Sequence, residues 1–348
     1  MTSLAATIHE DTMLDAIPEY ERGFPEENDN RLTIAAIIPL YNGAAYIETA
    51  LLSVLFQTRP PDEIIVVDDG STDHGPAVVE RLARSYPIRL LHKANGGQSA
   101  ARNFAVRNTT AALIALLDQD DVWYPDHLER LMKPFLVTGF PELGWSYSDL
   151  DEIDENGALV RRNFLASLGT PHPKTDVFNC LNQDMFVLPS ASLVSRKAFE
   201  SVGGFDERLC GYEDDDLFLR LFRANYRNVF IPDPLSKWRI HVGSTSYTPR
   251  MARSRAIYAR KLLTTFPDDP VRSRYYTRHL IVPRFLPRMY EGVREALRRS
   301  DPAPVAEAMA DMALLMPGSG RRVQLKFRLL QLALRSRHGR LFARMVLR

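Results

Sequence analysis

The sequence predicts an α/β fold, a mostly parallel sheet sandwiched by helices, with a helical extension at the C-terminus. Two observations predict it. Between residues 32 and 117, short apolar β-branched runs alternate with segments of helical periodicity. Strand–helix–strand alternation of that kind closes into a parallel sheet covered on both faces. Near the C-terminus, Val323, Phe327, Leu330 and Leu334 recur at helical spacing.

Leu32-Thr-Ile-Ala-Ala-Ile-Ile-Pro39 reads as the first buried strand. Ile47, Leu51, Val54 and Leu55 then predict a helix up to Gln57. Residues 63–68 form a second apolar run, followed by a helix over about 76–85. Residues 88–91 predict a third strand, 98–107 a helix and 112–117 a fourth strand. Leu217-Phe-Leu-Arg-Leu-Phe222 reads as a later helix, preceded by Glu213-Asp-Asp-Asp216. Open α/β sheets bind ligands outside the carboxyl ends of their strands, so chemistry is expected there.

Composition narrows the class. A chain of 348 residues holds a full α/β domain with material to spare. The net charge of +1 excludes a general nucleic-acid binder, which is normally far more basic. Two cysteines, Cys180 and Cys210, with no CxxC, exclude a disulfide scaffold and a thiolate zinc site and fit a reducing compartment. No run of 18 apolar residues occurs, and the N-terminus lacks the basic-then-apolar pattern of a secretory signal. A cytoplasmic location is therefore expected. The charge is unevenly spread: residues 1–30 hold eight acids and one Arg, whereas 318–348 hold nine Lys or Arg and no acid. The first stretch reads as an acidic, loosely ordered leader.

Two strand ends are strongly acidic: Asp68-Asp-Gly-Ser-Thr-Asp73 and Asp118-Gln-Asp-Asp121. Crowded carboxylates raise one another's proton affinity. A hard divalent cation such as Mg²⁺ or Mn²⁺, shared with substrate phosphates, relieves that repulsion. Asp-Gly-Ser-Thr also reads as an ordinary turn with a helix cap. Three carboxylates following a buried strand are harder to assign to a solvent turn.

Ile38-Pro-Leu-Tyr-Asn-Gly43, Val66-Val-Asp-Asp-Gly-Ser-Thr-Asp73, Asn95-Gly-Gly-Gln-Ser-Ala-Ala-Arg-Asn103 and Leu117-Asp-Gln-Asp-Asp-Val-Trp-Tyr-Pro125 follow one another in this order. Gly203-Gly-Phe-Asp206, Gly211-Tyr-Glu-Asp214 and Trp238-Arg-Ile-His241 come after them. This ordered set, covering about residues 33–247, resembles the family 2 glycosyltransferases of GT-A fold. The resemblance implies a catalytic domain over residues 31–248 and a helical extension over 249–348. It implies that Pro39, Tyr41 and Asp69 hold the nucleotide base and ribose. It assigns Asp118 and Asp120 to the ribose and the metal-bridged diphosphate. Asp120 and Asp121 both remain candidates for the direct metal ligand. His241 matches a position that completes the metal site, although a lone histidine is more often an ordinary packed or surface residue. Arg102 either packs structurally or touches a phosphate.

The resemblance also implies that Asp214 is the base that deprotonates the acceptor hydroxyl, with inversion at the anomeric carbon. Asp215 and Asp216 read instead as acids favoured by the helix macrodipole. Residues 182–192 and Gly203-Gly204 are expected on the acceptor side. The implied reaction moves one sugar from a nucleotide-diphosphate sugar, a UDP-sugar by preference, to a hydroxyl of a glycan or lipid-linked acceptor, as in the synthesis of surface polysaccharide or glycoconjugate. Gln-x-x-Arg-Trp and membrane-spanning helices, which mark the processive branch, are absent from the sequence. A nucleotidyl-transferring pyrophosphorylase would carry a Gly-rich phosphate loop at its first strand, where this chain has Ile38 to Gly43. A non-catalytic nucleotide-sugar or glycan-binding module on the same fold would be expected to lose Asp214 or the Asp-x-Asp, and both are intact.

The C-terminal helix interleaves its apolar stripe with Arg321, Arg322, Lys326, Arg328 and Arg335. One reading lays it on the inner face of the cell membrane. The other packs it on the catalytic domain or on a second copy, with the arginines snorkelling to water.

Overall fold

The computed structural model describes residues 32–137, 143–243, 249–298, 303–335 and 339. The acidic leader and the last residues of the basic tail lie outside them.

Nine strands form one sheet in the order β3-β2-β1-β4-β8-β6-β9-β5, with β7 beside β6. Its first half is parallel: β1 (Ile34–Leu40), β2 (Glu63–Asp68), β3 (Ile88–His92) and β4 (Leu113–Leu116). β1 is buried along its whole length, as a strand covered on both faces must be. Helices α1 (Ile47–Leu55), α2 (Gly75–Ala83) and α3 (Gln98–Arg107) make the crossovers, close to their expected positions.

The second half departs from a parallel sheet. β8 (Ser192–Ser195) runs antiparallel to both β4 and β6 (Leu143–Ile153). β9 (Arg227–Arg239) lies parallel to β6, and β5 (Val122–Trp123) caps the far edge antiparallel to β9. The short β7 (Leu159–Arg161) pairs with β6. α4 (His127–Leu136), α5 (Phe164–Leu168), α6 (Val177–Asn182), α7 (Arg196–Ser201) and α8 (Glu213–Arg223) complete this half.

The extension consists of α9 (Pro249–Thr265), α10 (Val282–Arg298), α11 (Ala303–Ala313) and α12 (Arg321–Arg335). It shares one apolar cluster with the sheet. Ile65 and Trp145 of the sheet and Phe218 of α8 join Tyr258, Phe285, Phe327 and Leu330 of the extension. The stripe expected on α12 faces inward: Phe327 and Leu330 are buried, and Val323 and Leu334 pack against the cluster. A second stripe, Leu325, Leu329 and Leu332, is exposed between Arg322 on one side and Arg321, Arg328 and Arg335 on the other.

Candidate active site

A cavity of about 470 Å³ opens where β1, β2 and β4 end. That volume suits a small-molecule or cofactor site. Pro39, Tyr41, Asp69, Asp118, Asp120, Asp121, Asp214 and His241 all line it, though their positions span two hundred residues of chain.

The turn after β2 divides its labour. Asp68 accepts the Ser71 N–H at 2.9 Å, and Asp73 accepts the N–H groups of Ala44 and Gly75 at 2.8 and 2.9 Å. These two carboxylates are turn-builders, as the plainer reading of Asp-Gly-Ser-Thr expected. Asp69 is buried and points the other way. Its Oδ1 accepts from Lys93 Nζ at 2.5 Å and Gly96 N–H at 2.9 Å, and its Oδ2 accepts from Gly97 N–H at 2.7 Å. Gly97 sits at φ +89°, a conformation open to glycine, and caps α3 there. A carboxylate has about four acceptor positions, so Oδ2 keeps capacity for one more N–H.

Tyr41 is largely exposed at the rim. Its backbone is pinned by Gln119: the Tyr41 N–H donates to Gln119 Oε1 at 2.8 Å, and Gln119 Nε2 donates back to the Tyr41 carbonyl at 3.1 Å. The middle residue of Asp-x-Asp thus joins the two loops, a role no periodicity signals.

The acidic run after β4 splits three ways. The Asp118 carboxylate forms an ion pair with Arg102, and its backbone N–H donates to Ser190 Oγ at 3.0 Å. Asp120 meets His241 Nε2 at 2.8 Å. Burial and the Asp118 charge push the Asp120 carboxyl above its usual range, opposed by His241. Asp121 is buried, and its Oδ1 accepts the Arg239 N–H at 2.9 Å. Burial, followed by Asp120 and Asp118, raises its proton affinity strongly. Among the described residues, no three His, Cys, Asp or Glu side chains form a ready-made cation cage.

Arg102 is fully buried between two carboxylates, in keeping with a packing role. One guanidinium nitrogen pairs with Asp118 and the other with Glu213 at 3.1 Å. Glu213 also accepts from Gln98 and from the Gly211 N–H at 2.6 Å. These bonds join α3 to the head of α8.

Asp215 and Asp216 stand in the first turn of α8, where the helix macrodipole favours acids, and both are also buried in ion pairs with the extension. Asp216 pairs with Lys261 of α9 at 2.5 Å and with Arg220 at 2.9 Å, and Asp215 pairs with Arg284 of α10. Successive helical residues point about 100° apart; Glu213, Asp214 and Asp215 all line the cavity, but Glu213 is held by Arg102 and Asp215 by Arg284, whereas Asp214 has no ion pair among the described residues. Asp214 Oδ1 accepts the Asp215 N–H at 2.8 Å. Burial, then the charges of Glu213 and Asp215, lift the Asp214 carboxyl well above the usual range. A cleft carboxylate so perturbed is a functional-site candidate.

The fold belongs to the GT-A class. TarS of S. aureus, solved with UDP-GlcNAc, superposes with a TM-score of 0.62 at 17% identity over 90% of each chain. A mannosyltransferase of Pyrobaculum calidifontis, solved with GDP-Man and Mn²⁺, superposes with a TM-score of 0.51 at 22% identity, over 90% of this chain and 84% of its own. Residues 35–203 match the model of glycosyl transferase family 2, and the chain belongs to that family. An uncharacterized glycosyltransferase of Rickettsia conorii is 34% identical over 210 residues, covering 55% of this chain and 31% of its own length. The chain thus spans about a third of that relative. The family match ends before Asp214 and His241, so those two positions rest on motif and geometry.

Proposed function

We propose that this protein is an inverting glycosyltransferase that moves one sugar from a UDP-sugar to a hydroxyl of a glycan or lipid-linked acceptor, in the synthesis of surface polysaccharide or glycoconjugate. The carrying observation is that one cavity gathers Pro39, Tyr41, Asp69 and Asp118, the Asp120–His241 pair at 2.8 Å and the Asp214 carboxylate. Tyr41 and Asp69 would receive the nucleotide, Asp69 through the remaining acceptor position on Oδ2. Asp118 would take the ribose.

The donor set fits a divalent cation. A carboxylate and an imidazole meet at 2.8 Å in a site with surplus negative charge, which suits Mn²⁺ or Mg²⁺ with diphosphate oxygens completing the shell. Asp120 and His241 would hold the ion, while Asp121 braces the β9 backbone beside them. When bound, the cation neutralises the diphosphate leaving group. Asp214 takes the acceptor proton on the face opposite that group, which inverts the anomeric centre.

The test is release of nucleoside diphosphate from a panel of UDP- and GDP-sugars with Mn²⁺, with and without EDTA. Turnover of a UDP-sugar that chelation abolishes is expected. Donor binding with no turnover under any condition would instead identify a non-catalytic module on this fold.

The exposed face of α12 supports a second part of this reading. Its three leucines sit among four arginines with no acid on the helix. Such a face fits an anionic lipid surface, and a peripheral position at the inner membrane would bring a lipid-linked acceptor within reach. No helix among the described residues is long and apolar enough to cross a membrane.

A further inference from the structure

The C-terminal extension reaches the active site at two places: Arg250 and Met251 of α9 line the cavity, and Arg284 of α10 pairs with Asp215, which also lines it. Arg284 of α10 is buried, with its guanidinium against the rings of Tyr258 and Phe285. Its Nη2 pairs with Asp215 and also donates to Asp184 at 2.7 Å, and its Nη1 donates to the Cys180 carbonyl at 3.4 Å. Asp215 in turn links two walls of the cavity. Its Oδ1 accepts the Met185 N–H at 2.8 Å, and its own N–H donates to Asp214. The next residue after Met185, Phe186, sits at φ +52°, an uncommon conformation for an aromatic residue, and lines the same cavity as Asp184. Strained residues of this kind persist where the surroundings over-determine them.

We propose that Arg284 is the positioning residue for the base: it holds Asp215 between α8 and the 184–186 wall, and so fixes the Asp214 carboxylate against the acceptor. The inference rests on the reading of Asp214 as the base. It makes the extension part of the catalytic apparatus, since the cation that organises the base comes from residue 284.

The charge pattern fits. Asp214 feels Glu213 and Asp215 on its own helix, Asp184 on the 184–186 wall and Tyr258 on α9, while Arg284 on α10 acts through Asp215 and Asp184, and Arg102 through Glu213. Three anions thus surround the base, and the cation nearest to two of them is Arg284. Burial lifts the Asp215 carboxyl to about 6, against the pull of Arg284. Without that cation, the Asp214–Asp215 pair takes up its first proton at higher pH.

The experiment compares pH profiles of kcat/KM for nucleoside-diphosphate release in Arg284→Gln, Arg284→Lys and Asp184→Asn. In Arg284→Gln the acidic limb should move up by about one pH unit, a tenfold loss of rate below the limb. Arg284→Lys should keep the charge and hold the limb near its original place, with a lower plateau because an ammonium cannot span both carboxylates in plane. Asp184→Asn removes an anion from a half-exposed position and should move the limb down. Donor affinity should stay within about threefold of the parent in all three. An Arg284→Gln limb that coincides with the parent's, with only a lower Tm, overturns the proposal. If that variant does not fold, an unmoved limb in Asp184→Asn overturns it equally. Full turnover by Asp214→Asn would reject the base assignment itself, a separate outcome.

Discussion

Replacing Asp214 with Asn separates chemistry from binding. The amide keeps the size of the side chain and an oxygen able to accept the Asp215 N–H, now 2.8 Å away. What it loses is basicity at the oxygen facing the cavity. A positioned base contributes roughly 10²–10⁴ in rate, which is about 2.7–5.4 kcal/mol of barrier. Donor affinity should hold, because a base works in the transition state and makes little ground-state contact with the nucleotide. The pH profile should report the same group. The Asp214 carboxyl is raised by burial and by Glu213 and Asp215, and only its ionised form accepts a proton. Activity in the parent should therefore fall on the acid side at a pH above the ordinary carboxylate range of about 4, and that limb should vanish from the residual rate of the Asn variant. Donor titration by calorimetry and single-turnover rates decide it. Loss of donor binding with an intact rate at saturation would refute the reasoning. Glu213, which lines the same cavity, would then become the candidate base.

Asp69→Asn should weaken the donor by about 10–100-fold, the worth of a charge-assisted bond, while the rate at saturating donor stays within a few-fold; a KM-against-kcat split checks this. Asp216→Asn should lower stability by about 1–3 kcal/mol, because it removes the buried carboxylate that Lys261 and Arg220 share, and a urea titration that shows no loss would refute this. Leu325→Glu with Leu329→Glu should release the protein from vesicles containing phosphatidylserine without lowering Tm, since both side chains are exposed. Binding that survives those changes, or that does not weaken as salt rises, would argue against the lipid reading.

The parallel half of the fold was legible because its strands are covered on both faces and must be continuously apolar. β6 was not, although every residue of it is buried. It carries Ser146, Ser148, Asp149, Asp151 and Glu152, and local donors satisfy several of these groups. Asp149 accepts the Leu165 and Ala166 N–H groups at the start of α5, and Asp151 accepts from Tyr124 and Asn163. No hydrophobic period survives such a pattern. β9 was hidden by Pro232 and Pro234, which usually argue against a strand interior, and the pairing with β6 shifts register beside Pro234. The site followed the same division. Motif order named the carboxylates, and the carboxyl-end rule said where they would gather. Which of four consecutive acids has no ion pair among the described residues depends on Arg102, Lys261 and Arg284, partners supplied by helices far apart in the chain.

Arg102 serves as counter-ion to two carboxylates at once, one on the donor loop and one at the head of the helix that carries the base. Such a shared ion is a balance beam. An anion arriving beside Asp118 competes for the same guanidinium and slackens its hold on Glu213, and a disturbance at Glu213 returns to Asp118 by the same route. Thermodynamic reciprocity makes the two effects equal in size. Substitutions at Asp118 and Glu213 therefore form a single energetic unit rather than two additive losses.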